Sequence, residues 1–191
     1  MQSMRIPVVI LAVALAIVFR AENGHTQPNL TDPNGFAWQV IDLTNRERSA
    51  RGLMPLRCNS RLMQAALWMA QDMADHDYFG HTDSLNRDSR ARVLAFNYEY
   101  SYVAENIGAG YSTPEAVFDG WMNSPSHRAS ILSAQVTEIG VGYGMKTTST
   151  YTHYWTMTVA DPMRTQALTV SAGTHRVFLP AIFNGVARCA P

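Results

Sequence analysis

A scattered set of side chains in this chain is suited to holding a metal or exchanging protons: His81, Glu105, His127 and Glu138. Each sits beside a structure-breaking or capping element, in Phe79-Gly80-His81-Thr82, Ala104-Glu105-Asn106-Ile107, Ser124-Pro125-Ser126-His127-Arg128 and Thr137-Glu138-Ile139-Gly140. Neutral imidazoles and carboxylates at element ends can converge in a cleft, and two His with one or two carboxylates suit zinc with an open water position. On spacing alone, a single His here is more often a hydrogen-bonded structural residue than a ligand, and a single Glu more often a helix or strand partner. Other chemistries lack their residues. There is no G-x-S-x-G elbow, no H-E-x-x-H helix and no phosphate loop ending in Gly-Lys-Ser/Thr. Gly140-x-Gly142-x-Gly144 lacks dinucleotide spacing and reads as close backbone packing or a bulge. Ser126 and His127 are adjacent and point poorly for mutual attack, so Ser126 reads as a helix cap.

The elements that must position these residues follow from pattern. A first helix is predicted over about Gly35 to Arg51, with Phe36, Val40, Leu43 and Ala50 near helical spacing and Gly52 as its stop. A second follows the caps Asn59-Ser60 and runs towards His76, with Leu62, Ala65, Ala66, Met69 and Met73 on one face. A polar, arginine-containing segment then extends to Arg92. Thr113-Pro114-Glu115 opens a third helical stretch, which Asn123-Ser124-Pro125 ends, and Ser126 caps a short last helix through Leu132. Strands are predicted over Val136 to Met145 and Tyr151 to Ala160, joined by a hairpin loop at 146–150. Helices first and strands afterwards point to α+β layers. Trp68, Trp121, Trp155 and the methionines read as core. His76 reads as a solvated helix end and His153 as facing water, and Arg128 as a partner for an acid.

The chain has 191 residues, 47% hydrophobic and 16% charged, with 15 basic residues balancing 15 acidic ones. A soluble domain averages about 25% charged, so this one is charge-poor yet globular, and its length suits one domain. It has no basic run to neutralise a phosphate backbone, so nucleic acid is not an expected partner. Arg5 followed by the apolar run Ile6 to Phe19 reads as a signal peptide or N-terminal anchor over residues 1–21. The run is shorter than the about 20 residues of a transmembrane helix. Residues 22–34 read as a linker, 35–161 as the domain and 162–191 as a C-terminal tail. The protein is expected outside the cytoplasm, secreted or at the cell surface if the N-terminal segment is retained. Cys58 and Cys189 could then form a disulfide, tying the tail to the body.

Several words are more specific than any spacing. Val40-Ile41-Asp42-Leu43-Thr44-Asn45-Arg46-Glu47-Arg48 and Gly52-Leu53-Met54-Pro55-Leu56 come first. Phe79-Gly80-His81-Thr82, Ala104-Glu105-Asn106-Ile107-Gly108 and Gly120-Trp121-Met122-Asn123-Ser124-Pro125-Ser126-His127-Arg128 follow. Ile139-Gly140-Val141-Gly142 and Tyr154-Trp155-Thr156-Met157 complete an ordered series that resembles the bacterial CAP superfamily (also SCP: cysteine-rich secretory, antigen 5 and pathogenesis-related 1 proteins) from Phe36 to Asp161.

The resemblance implies an α-β-α sandwich with a small antiparallel sheet flanked by helices. It also implies a cleft lined by two His and two acids that in several members binds a divalent metal, often zinc. Carried over by motif, the histidines are His81 and His127, which would be the metal ligands, and one acid is Glu105. The second acid lies, in many eukaryotic members, three residues after the helix tryptophan, a place held here by Ser124. Glu138 is the substitute. Asn106 is expected to make backbone hydrogen bonds that hold Glu105 in place. The favoured function is a non-enzymatic extracellular module binding a metal and a ligand or protein partner. The alternatives are a metal-dependent hydrolase working through a zinc-bound water, and a lipid or sterol carrier.

Overall fold

The computed structural model describes residues 35–163. Among them the chain forms, in order, α1 (Phe36–Ala50), β1 (Arg57–Cys58), α2 (Ser60–His76), α3 (Ser89–Ala95) and β2 (Tyr100–Ala109). Then come α4 (Pro114–Asn123), α5 (Pro125–Ile131), β3 (Glu138–Met145) and β4 (His153–Pro162). The strands make one sheet in the order β1-β3-β4-β2. β2 and β3 each run antiparallel to β4, whereas the short β1 pairs parallel to β3. The sheet is therefore mixed, where a purely antiparallel one was expected. The exception is β1, two residues long and preceding a helix, which supplied too little pattern to be read. The expected N-terminal segment, linker and most of the tail, with Cys189 and so its pairing with Cys58, lie outside the described residues, as do His25 and His175.

The sheet is covered on both faces. One face meets α2, whose predicted stripe Leu62, Ala65, Ala66, Met69 and Met73 is fully buried. The glycines of β3 allow that contact. A Cβ on Gly140 would stand 2.1 Å from the backbone carbon of Leu62, and one on Gly142 2.3 Å from that of Ala66. No side chain fits there, so α2 lies directly on the strand, as the glycine spacing suggested. The other face carries the main core, where Val40 and Ile41 of α1, Val117, Phe118 and Trp121 of α4 and Ile131 of α5 pack on Ile139, Val141, Trp155, Met157 and Val159. Burial of this order, at about 25 cal/mol per Å² of apolar surface, is what holds the layers together. The result is the α+β, helix–sheet–helix sandwich expected from the sequence.

Side-chain caps mark the starts of α2, α3 and α4. Asn59 accepts from the amides of Arg61 and Leu62, Asp88 from Ala91 and Thr113 from Ala116. α5 starts at Pro125 with Ser124 as its N-cap and no side-chain bond, so Ser126 lies inside the helix and does not cap it. Proline's fixed φ and missing N–H suit that first position. Trp68 also departs from its reading as core: it is 38% exposed, with the Arg87 guanidinium 5.3 Å above its ring.

Candidate functional site

β2 is an edge strand, and the alternation of side chains along a strand explains how it gathers a site from two layers. Glu105 is in register with Thr158, and Thr158 with Gly140, the row that faces α2. Its neighbour Asn106 shares a row with Met157 and Val141, which face α4 and α5. Glu105 and Asn106 thus point to opposite faces of the same edge, and each takes hold of one histidine.

On the α2 side, His81 Nδ1 lies 3.0 Å from Glu105 Oε1. A carboxylate only accepts, so Nδ1 is the donor, and in the neutral form of the ring the lone pair lies at Nε2. The Glu105 side chain is 3% exposed while that of His81 is 55% exposed, so the ring reaches solvent from a buried acid. The other carboxylate oxygen is taken by Arg92, with Nη1 to Oε2 at 2.6 Å. Arg92 is itself buried. It also donates from Nη2 to the His81 carbonyl at 2.8 Å and pairs through Nε with Asp83 at 3.4 Å.

The loop carrying His81 is clamped at both ends. Asp77, in the left-handed region at φ 52°, ends α2, and its carboxylate accepts from the Thr150 amide and the Tyr154 hydroxyl. Asp72 accepts from the Tyr78 hydroxyl and from the amide and hydroxyl of Ser84. Burial pushes the Asp72 carboxyl up, but these bonds outweigh it and hold it below the usual aspartate value. Burial and the Asp72 carboxylate together push the Tyr78 hydroxyl well up, so it stays a donor. Asp83 binds the amides of Leu85 and Arg87 and the Arg87 guanidinium. His81 therefore rides on a short loop between two buried aspartates.

On the opposite face, Trp121 of α4 donates from Nε1 to the Ile107 carbonyl at 2.9 Å, and Asn106 donates from Nδ2 to the His127 carbonyl at 3.0 Å. Arg128 bonds the Met122 carbonyl, joining α5 to α4 and not to an acid. Asn106 was expected to brace Glu105; its side-chain bond goes to His127. The half-buried His127 ring is held below the usual histidine value, first by burial and then by the charge that His81 carries when it is protonated.

Glu138 is not gathered with these three. It lies two strands over, at the start of β3, where it is buried with its own donors. Arg57 Nη2 and Asn59 Nδ2 bind it at 3.0 and 2.9 Å, and the Tyr98 hydroxyl at 2.9 Å. Burial, with Glu138 behind it, pushes Tyr98 far up. Ser124, at the place of the usual second acid, faces Ser126 Oγ at 3.4 Å. Of the remaining histidines, His76 is solvated at the end of α2 with Nδ1 on the Asp72 carbonyl, as expected. His153 is half-buried, bonded to the Tyr143 hydroxyl at 2.8 Å and stacked on its ring, where a water-facing residue was expected. Arg92 and Asp83 were not read as site residues, because an ion pair between separate elements leaves no periodic mark in a sequence.

Among the described residues, no group of three or more His, Cys, Asp or Glu is arranged to hold a metal ion. A metal held at this site would take the His81 and His127 imidazoles, with its other positions filled from outside the described residues. Among the described residues no helix is long and apolar enough to cross a membrane.

Comparison with known proteins agrees with this architecture. Residues 41–159 match the family model of CAP, the cysteine-rich secretory protein family. The Bacillus subtilis protein YkwD is 41% identical over 105 residues, covering 55% of this chain and 41% of YkwD. The B. subtilis membrane protein YlbC is 31% identical over 108 residues, covering 56% of this chain and 31% of YlbC. The chain thus spans under half the length of either relative. Among solved structures, an extracellular SCP-domain protein from Bacillus anthracis superposes with TM-score 0.59 at 30% identity, covering 67% of this chain and 41% of that one. An outer surface protein from Borrelia burgdorferi shares the fold at 17% identity and TM-score 0.59, covering 64% of this chain and 90% of that one. With the sandwich, the ordered motifs and the family match over most of the described residues, this chain belongs to the CAP family of cysteine-rich secretory proteins.

Proposed function

We infer that this chain is an extracellular binding domain whose His81–Glu105–His127 site takes a divalent metal of the imidazole-preferring class, zinc first, and through it a ligand or partner, without catalysis. The observation that carries this reading is the full engagement of Glu105, one oxygen on the ring of His81 and the other on Arg92. A carboxylate so held orients an imidazole and raises its basicity as a ligand. Both of its oxygens are already bonded and its side chain is 3% exposed, which disfavours it as the base that would take a proton from water in a hydrolase. The same commitment disfavours calcium and magnesium, which need several oxygen donors. A bound zinc would supply positive charge at which an anionic or neutral donor of a partner could complete the coordination. The extracellular setting draws support from the apolar N-terminal sequence and from the B. anthracis relative described as extracellular.

Calorimetric titration of the full chain with zinc, calcium and magnesium tests the reading. The expected result is one zinc per chain, weakened tenfold or more by His81→Ala and by His127→Ala, with no response to the other two ions. No zinc binding, or binding indifferent to both substitutions, would overturn it. Zinc-dependent cleavage of an unfolded protein substrate, lost in His81→Ala, would overturn the non-catalytic part.

A further inference from the structure

We propose that Arg92 is the positioning residue of the histidine site and, through the side chain at position 105, decides which nitrogen of His81 carries the ring proton. Its guanidinium reaches the same histidine at two points. Nη2 donates to the His81 carbonyl, fixing the main chain, and Nη1 holds Glu105 Oε2, which turns Oε1 onto the ring at Nδ1. The guanidinium is 1% exposed and is anchored from behind by Asp83, which also binds Arg87. All guanidinium N–H groups are donors, and the planar fork serves two acceptors at fixed angles, which a lysine ammonium cannot reproduce. Arg92 can meet only an acceptor, so it dictates which end of the group at position 105 is left for His81. With a carboxylate both ends accept, and His81 must protonate Nδ1 and present a bare Nε2. The use of that bare nitrogen for metal rests on the function proposed above; the ring's protonation pattern does not.

The substitution Glu105→Gln separates a positioning role from a merely structural one. Arg92 would claim the amide oxygen and leave the NH₂ group facing His81 Nδ1, which must then accept. The ring switches to the form protonated at Nε2. Nitrogen-15 spectra of the histidine rings in the metal-free full chain at pH 8 read this directly, with His153 on Tyr143 as the internal control for folding. We expect Nδ1–H in the native protein, Nε2–H in Glu105→Gln, and a return towards Nδ1–H in the double substitution Glu105→Gln with Arg92→Met. Retention of Nδ1–H in folded Glu105→Gln would overturn the proposal. Should the glutamine variants not fold, Arg92→Lys serves instead. The proposal expects loss of the single Nδ1–H form despite the retained charge, and an unchanged ring would overturn it. Zinc titration of the same samples reports separately on the function. A tautomer switch in a protein that binds no zinc upholds the role of Arg92 and overturns the metal reading.

Discussion

Two buried glutamates on the same face of one sheet have opposite surroundings. Glu138 is enclosed by Arg57, Asn59 and Tyr98, and no histidine touches it. Glu105 is backed by a buried arginine on one oxygen and gives the other to a histidine that reaches solvent. Position in the sheet makes the difference. β3 is flanked on both sides by strands, so its acid must be satisfied from within, at the junction with β1 and the start of α2. β2 is an edge strand, so loops and helices from both layers can bring side chains around it. Here the carboxylate on the interior strand serves only as a fastener, and the one at the open edge reaches a histidine exposed to solvent.

Substitutions can sharpen or break this contrast. The largest effect is expected from Glu105→Ala, which takes from the buried Arg92 guanidinium the nearer of its two carboxylate partners and leaves Asp83 at 3.4 Å. It should cost about 3–5 kcal/mol in denaturant unfolding and also weaken zinc tenfold or more in calorimetry. Glu138→Ala should cost about 2–4 kcal/mol by leaving Asn59 and Tyr98 without their acceptor. Zinc affinity of the remaining folded protein should be unchanged. If Glu138→Ala impaired zinc binding as strongly as Glu105→Ala, the contrast would collapse.

Asn106→Ala removes the tie to the His127 carbonyl. It should cost about 1–2 kcal/mol in the same unfolding assay and weaken zinc less than His127→Ala does. Arg57→Ala should cost about 0–1 kcal/mol, because Arg57 is 64% exposed whereas Arg92 is 1% exposed. The last effect is a slope. The folded state disfavours protonation of His127, so the unfolded chain binds more protons once the pH falls below about 6.5, the ordinary histidine value. Stability from this group is complete above that pH and is lost progressively below it. Urea unfolding between pH 7.5 and 5 should show a smaller decline for His127→Gln than for the native chain.

The sequence carries the fold where periodicity is strong. The apolar stripe of α2 and the glycines of β3 were readable separately and turn out to be one contact, helix backbone laid on strand backbone. β2 was not readable as a strand, since an edge carrying Ser101, Glu105, Asn106 and Gly108 shows neither clean alternation nor a buried apolar run. α3, a helix of seven residues, was read only as a polar segment. In the site, His81, Glu105 and His127 stand within distinctive words, and Glu105 bonds the His81 ring while its neighbour Asn106 bonds the His127 carbonyl. Glu138 stands within one too, but a word in sequence does not say which strands lie between. Arg92 and Asp83 carry no local mark. Their importance comes from burial and from partners in other elements, which only the assembled chain shows.

The most direct test of the central claim is the anomalous diffraction of zinc-soaked crystals of the chain measured at the zinc absorption edge. The account predicts one peak at the open edge of β2, with His81 Nε2 and a ring nitrogen of His127 both about 2.0–2.1 Å from the metal and Glu105 still on His81 Nδ1 and Arg92. A peak bound by Glu138, or no peak between the two histidines, would contradict it.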